Sequence, residues 1–491
     1  MLFPRVTFAI GQRAAGFRGL PAAGLPGTLA AGFDLREQAM ETIRGQRMAT
    51  TWHKHLIAAI VGLISVAAGA AEPLFFDTND TGPAPAGVPV VRPWKTVPLD
   101  PDYGGQWVVS ADLDADGRVD FVACENHNVG DVHYTSTAVA QRLDGSVLWR
   151  WGDPDIGRKE WHHDVACQVH DWDGDGRPEV VLATKGALVE LDGRTGTERR
   201  RIPIAEDATD CIVFADLAGR GRPTDVLVKN RYHDIYAYDH RGELLWHVND
   251  PGGTRTAHQP RPIDLDGDGK DEIAAGYALI NADGSLRWRF RSAKVDENRG
   301  HLDCIRLFHR ADRLEDVRLV ITLCGANGIA MIDGNGRVIW EQVGSHFESI
   351  DIGRVIAGPP RAGQILVDID HQPFGKAPLL LMDENGVLLG RINTDYARHH
   401  HLLDWTGDGL DEIINAHSGA IYDHRGRRIA TLTAPASGRG ERSMLVGDFT
   451  GDGVPDVTLV TTDALYVFRN GGGVKPTPGI RLGTEFNFTL Y

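Results

Sequence analysis

A short acidic motif recurs along the 491-residue chain and constrains its fold more than any other feature. An apolar stretch typical of a β-strand follows each copy, and a second such stretch then ends in a turn such as Asp-Gly or Asn-Gly, which favours hairpins. The stretch from His301 keeps this rhythm without the carboxylates. Near-complete copies, such as DLDGDGKDEIAAG, begin at Asp112, Asp171, Asp264, Asp404 and Asp448, and degenerate copies begin at Asp216 and Asp368.

The spacing of the motif predicts the architecture. Units of about 45 residues that each offer four short strands are typical of a β-propeller. We count eight such units between about residue 105 and residue 470. The chain is therefore predicted to be all-β, with a single β-propeller of four-stranded antiparallel blades. Eight blades are favoured, and seven is the alternative if one degenerate unit is an insertion.

The N-terminal region has the pattern of a secretory signal peptide. Lys54 gives a positive start, Leu56 to Ala68 form a short apolar run, and small residues follow. A membrane anchor is the alternative, but the run is too short to favour it. We expect translation to start at Met48 and the protein to be secreted or periplasmic. The predicted division is 1–47 as a non-native or disordered extension, 48–71 as signal peptide, 72–104 as linker or strand, and 105–491 as the propeller catalytic domain.

The net charge and the cysteine count limit the classes of binding partner and the disulfide content that we expect. The formal net charge of −16 argues against nucleic acid as a partner. We expect a monomer without a membrane span after signal cleavage. The chain has an odd number of cysteines without CxxC spacing, which favours buried small hydrophobic residues over a disulfide framework. They are Cys124, Cys167, Cys211, Cys304 and Cys324.

The acidic motif itself predicts calcium sites. Calcium prefers six to eight oxygen ligands, and closely spaced short carboxylates around a glycine turn can supply them. An EF-hand is a poor match, because the last acidic residue stands at position 9 and a strand follows at once. The motif resembles the FG-GAP calcium loops of integrin-type propellers, which implies several structural ions. Asx-turns without metal are the alternative. The expected ligands are Asp112, Asp114, Asp116, Asp120, Asp171, Asp173, Asp175, Glu179, Asp264, Asp266, Asp268, Glu272, Asp404, Asp408, Glu412, Asp448, Asp452 and Asp456.

Polar residues precede the first strand of most units, at the end opposite the acidic loops. Radial blades would bring these residues together at one mouth of the central channel, where propellers often form sites. The alternative is that some of them only bond backbone carbonyls around the channel. Five units carry a histidine there, namely His163, His258, His301, His346 and His400.

Two further stretches are unusually polar for strand ends. ACENHNVGDVHY carries Glu125 and His127, and VKNRYHDIYAYD carries Lys229, Arg231 and Tyr232. Ordinary polar hairpins are the alternative interpretation.

With these residues in view, the chain resembles the propeller core of secreted rhamnogalacturonan lyases. The resemblance rests on AHQPRPIDLDGDGKDEIAAG followed by RGHLDCIRL, which is similar to the Gly-His-Gly-Asp motif of that family. Leu302 replaces the second glycine of that motif. The end of the chain, IRLGTEFNFTLY, also resembles propeller polysaccharide lyases, including ulvan lyases.

The resemblance implies β-elimination on an anionic polysaccharide that contains uronic acid and rhamnose. Such an enzyme needs a cation against the substrate carboxylate, a base for the C5 proton and an acid for the leaving oxygen. We expect His127 and His163 to include the base or acid, with Tyr232 as rival. Charge neutralisation is assigned to Arg231, Arg255 and Lys229, and substrate binding to Lys229, His258, His301, Asp303 and His400.

Three alternatives stay open from the residues. A non-catalytic FG-GAP propeller could use the same mouth to bind a glycan or protein partner. A glycoside hydrolase would need two carboxylic acids, for which Asp210, Asp303 and Glu125 are available. A separate metal site could combine a cysteine with His399 to His401.

Overall fold

The computed structural model describes residues 75–105, 107–130, 132–156, 166–358, 363–435 and 442–472. Residues 1–74, which include the expected extension and signal peptide, lie outside this range. Every described residue belongs to one compact unit, 72–491. Within the described ranges, no helix has the length and apolarity needed to cross a bilayer.

The described strands fall into eight sheets arranged in chain order. The first three strands are β1 (Phe76–Asp80), β2 (Val90–Val91) and β3 (Lys95–Pro98). Blade 1 comprises β4 (Trp107–Ala111), β5 (Asp120–Val129), β6 (Val132–Arg142) and β7 (Val147–Gly152). Blade 2 comprises β8 (Cys167–His170), β9 (Glu179–Thr184), β10 (Ala187–Asp192) and β11 (Glu198–Pro203). Blade 3 comprises β12 (Cys211–Ala215), β13 (Asp225–Lys229), β14 (Asp234–Tyr238) and β15 (Leu244–Asn249).

The remaining blades follow the same pattern. Blade 4 comprises β16 (Thr256–Ile263), β17 (Glu272–Gly276), β18 (Ala278–Ile280) and β19 (Leu286–Arg289). Blade 5 comprises β20 (His301–His309), β21 (Arg318–Cys324), β22 (Gly328–Ile332) and β23 (Val338–Val343). Blade 6 comprises β24 (Phe347–Gly353), β25 (Gln364–Ile369), β26 (Ala377–Met382) and β27 (Leu388–Thr394). Blade 7 comprises β28 (His400–Leu403), β29 (Glu412–Asn415), β30 (Ala420–Tyr422) and β31 (Arg428–Leu432). Blade 8 comprises β32 (Ser443–Gly447), β33 (Asp456–Val460), β34 (Ala464–Phe468) and β3, and two 3-10 helices cover Pro154–Ile156 and Pro251–Gly253.

The predicted all-β, eight-bladed propeller of four-stranded antiparallel blades is confirmed. The ring closes because β3, from the start of the described chain, pairs antiparallel with β34 as the outer strand of blade 8. The parallel strands β1 and β2 add a fifth strand to blades 6 and 7. Each pair of neighbouring blades shares its own buried apolar cluster. These clusters explain why the middle strands are almost continuously apolar, whereas outer strands such as β15 alternate toward solvent.

A recurrent tryptophan links several blades. In blades 1, 3, 4 and 5 the outer strand carries a tryptophan whose indole Nε1 donates to a turn carbonyl of the next blade. The side chain thus buries apolar area while its N–H is satisfied, as a buried indole requires. The donors are Trp149, Trp246, Trp288 and Trp340, with donor–acceptor distances of 2.7, 2.9, 3.1 and 2.8 Å.

The five cysteines are all buried free thiols, as predicted. Four of them, Cys124, Cys167, Cys211 and Cys304, lie in the apolar clusters between blades.

Candidate active site

Irregular pairing at the start of three consecutive inner strands shapes one mouth of the channel. The pairing of β16, β20 and β24 with the next strand shifts between Thr256 and Arg261, between Leu302 and Ile305, and between Phe347 and Ile350. The shifted segments contain His258, Asp303 and Glu348. A bulge re-aims side chains relative to the regular alternation of a strand, and bulges are frequent beside active sites.

The glycine of the Gly300-His301-Leu302-Asp303 motif is required by the backbone. Gly300 has φ +87°, and a Cβ atom there would lie 1.7 Å from the Cys324 carbonyl oxygen. Leu302, which departs from the family motif, has 2% of its surface exposed and packs in the apolar cluster between blades 4 and 5. The departure at Leu302 therefore fills core space and leaves the neighbouring His301 and Asp303 at the mouth.

Two histidines and a tyrosine from blades 3, 4 and 5 form a compact aromatic group. The rings of His258 and His301 are 4.3 Å apart and almost perpendicular. Tyr232 lies over both, with ring centroids 5.8 Å from His258 and 5.1 Å from His301. His301 Nε2 lies 3.1 Å from Asp303 Oδ1, and His258 Nε2 lies 3.6 Å from the same oxygen. The structure thus brings together four residues that the sequence analysis assigned to the site.

Two guanidinium groups flank the tyrosine. The Cζ atoms of Arg231 and Arg255 each lie 5.1 Å from the centre of the Tyr232 ring. Arg255 is exposed, and Tyr232 is half-buried, so this part of the site is open to solvent. The arrangement presents positive charge beside a phenol, where an anionic substrate could approach.

Burial favours the neutral form of both imidazoles. Burial lowers the pKa of His301 to about 3, and the nearby Arg231, Lys229 and Arg255 charges act in the same direction. Burial also holds the pKa of His258 well below its ordinary value, helped by His301 and Arg231. A neutral imidazole can accept a proton or a hydrogen bond, which a protonated ring cannot.

Lys229 lies beneath this surface. It is 1% exposed, and its Nζ donates to Asp210 Oδ2 at 2.9 Å and to the Arg231 carbonyl at 3.0 Å. His133, on the long hairpin β5–β6 of blade 1, reaches blade 3 and places Nδ1 2.5 Å from Asp210 Oδ1. Burial opposes ionisation of Asp210, but Lys229, the His133 hydrogen bond and Arg231 together hold its pKa well below the usual range. Lys229 thus supports the backbone of Arg231 from behind.

Of the other two proposed catalytic histidines, one lies on blade 1 and one falls outside the described residues. His127 lies on β5 of blade 1, is buried, and packs its ring 5.3 Å from Tyr134. His163 falls in 157–165, outside the described residues.

His400 is buried in blade 7, where its Nδ1 lies 3.3 Å from the Ala397 carbonyl oxygen and 3.9 Å from Asp368 Oδ1. Its neighbour His401 instead pairs with Asp351 at 3.5 Å. Across the described ranges, no cluster of metal-ligating atoms contains His399, His400 or His401. The structure therefore does not support the separate metal site considered for these three histidines.

The acidic loops lie at the other ends of the inner strands and share one hydrogen-bond pattern. The first aspartate of each near-complete loop accepts backbone N–H groups from the glycine turn, as Asp404 does from Gly407 and Gly409 at 2.7 and 3.1 Å. The carboxylate at position 9 accepts a hydrogen bond from a backbone N–H of the same loop. Glu412 Oε2, for example, accepts the Trp405 N–H at 2.9 Å. Burial raises the pKa of Glu412 and Glu179 to about 7. Three loops bring candidate ligand atoms within 4.8 Å of one another, and the sets are Asp112, Asp114 and Asp120; Asp171, Asp173 and Glu179; and Asp264, Asp266 and Asp268.

The degenerate loop of blade 3 keeps the turn and carries an arginine within it. Asp216 accepts the N–H groups of Arg220 and Gly221, as in the other loops. The Arg220 guanidinium lies 3.2 Å from Asp225 Oδ1, the carboxylate that stands at the end of this loop. An internal guanidinium thus supplies positive charge in a loop where ligands are missing.

Sequence reasoning missed three residues of the mouth. His133 lies in the polar stretch ACENHNVGDVHY with no feature that marks it for a role, and Cys324 has the sequence pattern of a core thiol. Glu348 directly follows a strand start, and its bulge has no signature in a single sequence. The available sequence signals for these residues were that Cys324 and Glu348 lie close in sequence to the predicted mouth histidines.

The known proteins that resemble this chain in sequence are rhamnogalacturonan lyases. No family model matches the chain. The chain is 24% identical over 468 residues to rhamnogalacturonan endolyase YesW of Bacillus subtilis (strain 168), covering 76% of this chain and 70% of YesW. It is 25% identical over 353 residues to rhamnogalacturonan exolyase YesX of the same organism, covering 58% of this chain but only 56% of YesX. The resemblance to rhamnogalacturonan lyases is therefore confirmed, and these relatives are polysaccharide lyases.

Solved structures agree on the fold. The crystal structure of YesW matches with a TM-score of 0.56 at 20% identity, covering 76% of this chain and 75% of that one. The biofilm matrix protein Bap1 of V. cholerae also matches, with a TM-score of 0.53 at 14% identity, covering 79% of this chain and 92% of Bap1. A propeller of this shape thus occurs both in a lyase and in a matrix protein, so the site has to decide the function.

Proposed function

We propose that the protein is a polysaccharide lyase that cleaves a uronic-acid-containing, rhamnose-rich polysaccharide by β-elimination, with rhamnogalacturonan as the first substrate to test. The observation that carries the proposal is Tyr232 between the guanidinium groups of Arg231 and Arg255, each 5.1 Å from its ring. This group opens to solvent beside the neutral histidines His258 and His301. The similarity to lyases in sequence supports the same class.

The reaction needs positive charge before it needs a base. The C5 proton of a uronic acid is weakly acidic, and negative charge develops on the adjoining carboxylate as the proton leaves. A guanidinium can hold a carboxylate through two parallel hydrogen bonds. Arg255, which is exposed, would meet the carboxylate first, and Arg231 would complete its neutralisation.

A base then takes the C5 proton, the C–H electron pair forms the C4–C5 double bond, and the bond from C4 to the leaving oxygen breaks. Tyr232 is the first candidate for the base because it adjoins both guanidinium groups, with His127 and His163 as rivals. A second group returns a proton to the leaving oxygen. His258, His301 and Asp303 would orient the sugar ring from below.

In this proposal Lys229 and His400 position the site and do not contact the substrate. Both side chains are buried, so neither offers a free surface to the polysaccharide. Lys229 would fix the position of Arg231 through its hydrogen bond to the Arg231 carbonyl. His400 would stabilise the mouth from blade 7.

Calcium in the acidic loops is the second element of the proposal. The donor sets fit the ion, since they consist of closely placed carboxylates around glycine turns, and in blades 1 and 2 they include the buried carboxylate at position 9. Bound calcium would stiffen the turns that join the two inner strands of each blade. It would take no part in the elimination. We also propose that the protein acts outside the cell, as the pattern at residues 48–71 indicates.

The test is an assay of the purified chain, with calcium, against rhamnogalacturonan, ulvan, polygalacturonate and rhamnose–glucuronate gums. The expected result is a rise in ultraviolet absorbance from the new C4–C5 double bond on one of these substrates. New reducing ends without that absorbance would instead indicate a glycoside hydrolase.

Glycan binding without cleavage is the competing function, because the two guanidinium groups beside Tyr232 could hold an anionic polysaccharide without breaking it. Binding to an immobilised polysaccharide, measured beside the cleavage assay, separates the two. Retained binding with no product on any substrate would overturn the lyase proposal.

A further inference from the structure

A second group of ligand-type side chains lies behind the aromatic group, between blades 5 and 6. It consists of Asp303 on β20, Cys324 at the end of β21, and His346 and Glu348 at the start of β24. One ligand atom from each of the four lies within 4.8 Å of the others. His346 Nε2 lies 3.1 Å from Cys324 Sγ and 3.1 Å from Glu348 Oε2. These spacings are close to those between ligands of one metal ion.

The group is buried and incompletely satisfied. Asp303 and Glu348 are 1% and 2% exposed, and Cys324 is 8% exposed. Within the described residues, both Asp303 oxygens and Glu348 Oε2 lack an aligned hydrogen bond from a nitrogen or hydroxyl donor, although imidazole nitrogens lie 3.1 Å from Asp303 Oδ1 and from Glu348 Oε2. Buried carboxylate oxygens left in this condition are costly unless a cation or proton meets them.

We propose that Asp303, Cys324, His346 and Glu348 bind one divalent transition-metal ion, of which Zn²⁺ fits best. A thiolate and an imidazole suit zinc, whereas calcium and magnesium take oxygen ligands almost exclusively. The site thus differs in kind from the carboxylate loops at the opposite ends of the strands. Binding of the ion would require loss of the Cys324 thiol proton.

Neighbouring groups hold the ligands in place. Tyr277 Oη donates to the Cys324 carbonyl oxygen at 3.1 Å. The Arg398 guanidinium pairs with Glu348 Oε1 and, at 2.6 Å, with Asp370, which leaves Glu348 Oε2 directed at His346. Such outer contacts orient metal ligands and tune their basicity.

The site would act on the mouth through Asp303. The same Oδ1 lies 3.1 and 3.6 Å from the Nε2 atoms of His301 and His258. An ion on Asp303 would therefore fix the carboxylate beneath both imidazoles. The binding itself does not rest on the proposed lyase function, because metal content is measured without substrate.

The experiment uses the mature chain, purified without a polyhistidine tag and analysed for zinc and calcium by elemental mass spectrometry. After chelation, Co²⁺ is added, because a Co²⁺–thiolate bond produces a near-ultraviolet charge-transfer band. We expect about one equivalent of zinc in the wild-type chain and the cobalt band after exchange. We expect Cys324→Ser to lose the band and most of the zinc.

Cys304→Ser is the matched control, since Cys304 is a buried thiol on β20 whose Sγ faces the Ile350 carbonyl instead of the cluster. This variant should keep both the zinc and the band. His346→Gln gives a second loss variant at a less buried position, and circular dichroism checks the fold of each. Zinc at background level, calcium in place of zinc, or a cobalt band that survives Cys324→Ser would each overturn the proposal. Metal binding without lyase activity would leave it standing and reject only the proposed function.

Discussion

The guanidinium of Arg255 lies 5.1 Å from the centre of the Tyr232 ring, although the two residues belong to different blades. Arg255 directly precedes β16 of blade 4, and Tyr232 lies between β13 and β14 of blade 3. Each is on a turn at the same mouth, so a polysaccharide could reach both without any change in the blades. The predictions for activity follow from this pair.

Removing the exposed cation should reduce turnover without affecting the fold. Arg255→Ala would leave the substrate carboxylate with less positive charge as the C5 proton is taken, and we expect kcat to fall by about 10²–10³-fold. Arg313→Ala is the control, because Arg313 is an exposed arginine that pairs with Glu315 and Asp316 away from the mouth. The rates come from the double-bond absorbance assay. Equal activity of the two variants would remove Arg255 from the mechanism.

The Tyr232 hydroxyl can be tested while the ring is kept. Tyr232→Phe preserves the contacts with His258 and His301 but removes the proton acceptor, so we expect a loss of about 10²–10⁴-fold in kcat. Tyr236→Phe, on a half-buried ring stacked on His247, should have little effect. If Tyr232→Phe retains near-normal rates, the base is one of the rival histidines. His127→Ala and His163→Ala then identify it by which one abolishes turnover while the protein still folds.

The buried pair of Asp210 and Lys229 should matter for stability at neutral pH. Asp210→Asn leaves a buried ammonium unpaired, for which we expect about 3–5 kcal/mol less unfolding free energy. The double variant Asp210→Asn/Lys229→Met should recover much of the loss, since an apolar replacement of a buried pair is often nearly neutral. Asp250→Asn, in an exposed pair with His233, should cost no more than about 1 kcal/mol. Urea denaturation gives these values, and a neutral Asp210→Asn would contradict the expectation.

The same pair predicts acid sensitivity. Burial opposes ionisation of Asp210, but Lys229 and His133 hold its folded-state pKa well below the usual value. The unfolded chain therefore takes up this proton at higher pH than the folded one, so the stabilisation is complete above an unfolded pKa of about 3.9. It is lost as pH falls through the lower folded value. Wild type and Asp210→Asn should thus converge in stability in strong acid, and a constant difference across the titration would disagree.

The contribution of β3 to the stability of the closed ring should be measurable by truncating one of its side chains. Val97 is 1% exposed and packs in the apolar cluster between blades 8 and 1. Val97→Ala removes two methyl groups from this cluster, for which we expect a loss of roughly 2 kcal/mol. Thr96→Ala, at the exposed neighbouring position of the same strand, should change stability by less than about 0.5 kcal/mol. Similar effects from both variants would show that this strand contributes little to closure.

Calcium binding should depend on the carboxylates of the complete loops. Glu272→Gln should lower the calcium stoichiometry by one ion per chain, because it removes the buried position-9 carboxylate of the blade 4 loop. Asp225→Asn in blade 3 should leave the stoichiometry unchanged, since Ala218 and Arg220 stand in that loop at the positions that Asp266 and Asp268 occupy in blade 4. Titration calorimetry counts the sites, and chelation of the wild-type chain should lower its melting temperature. Unchanged stoichiometry for Glu272→Gln would indicate that this loop is an Asx-turn without metal.

The sequence by itself determined the all-β propeller, its eight blades and the acidic turns between the two inner strands. Each of these features follows from strand and turn patterns within a single repeat unit. It also indicated His258, His301, Tyr232 and Arg255 as mouth residues, since each stands at the same end of its unit. Only the tertiary structure decided which of these groups meet. The bulges at Asp303 and Glu348 redirect side chains, and the closing role of β3 joins residues far apart in the chain. The contact of His133 with Asp210 and the convergence of Cys324 with His346 depend on packing between blades, which no local pattern records.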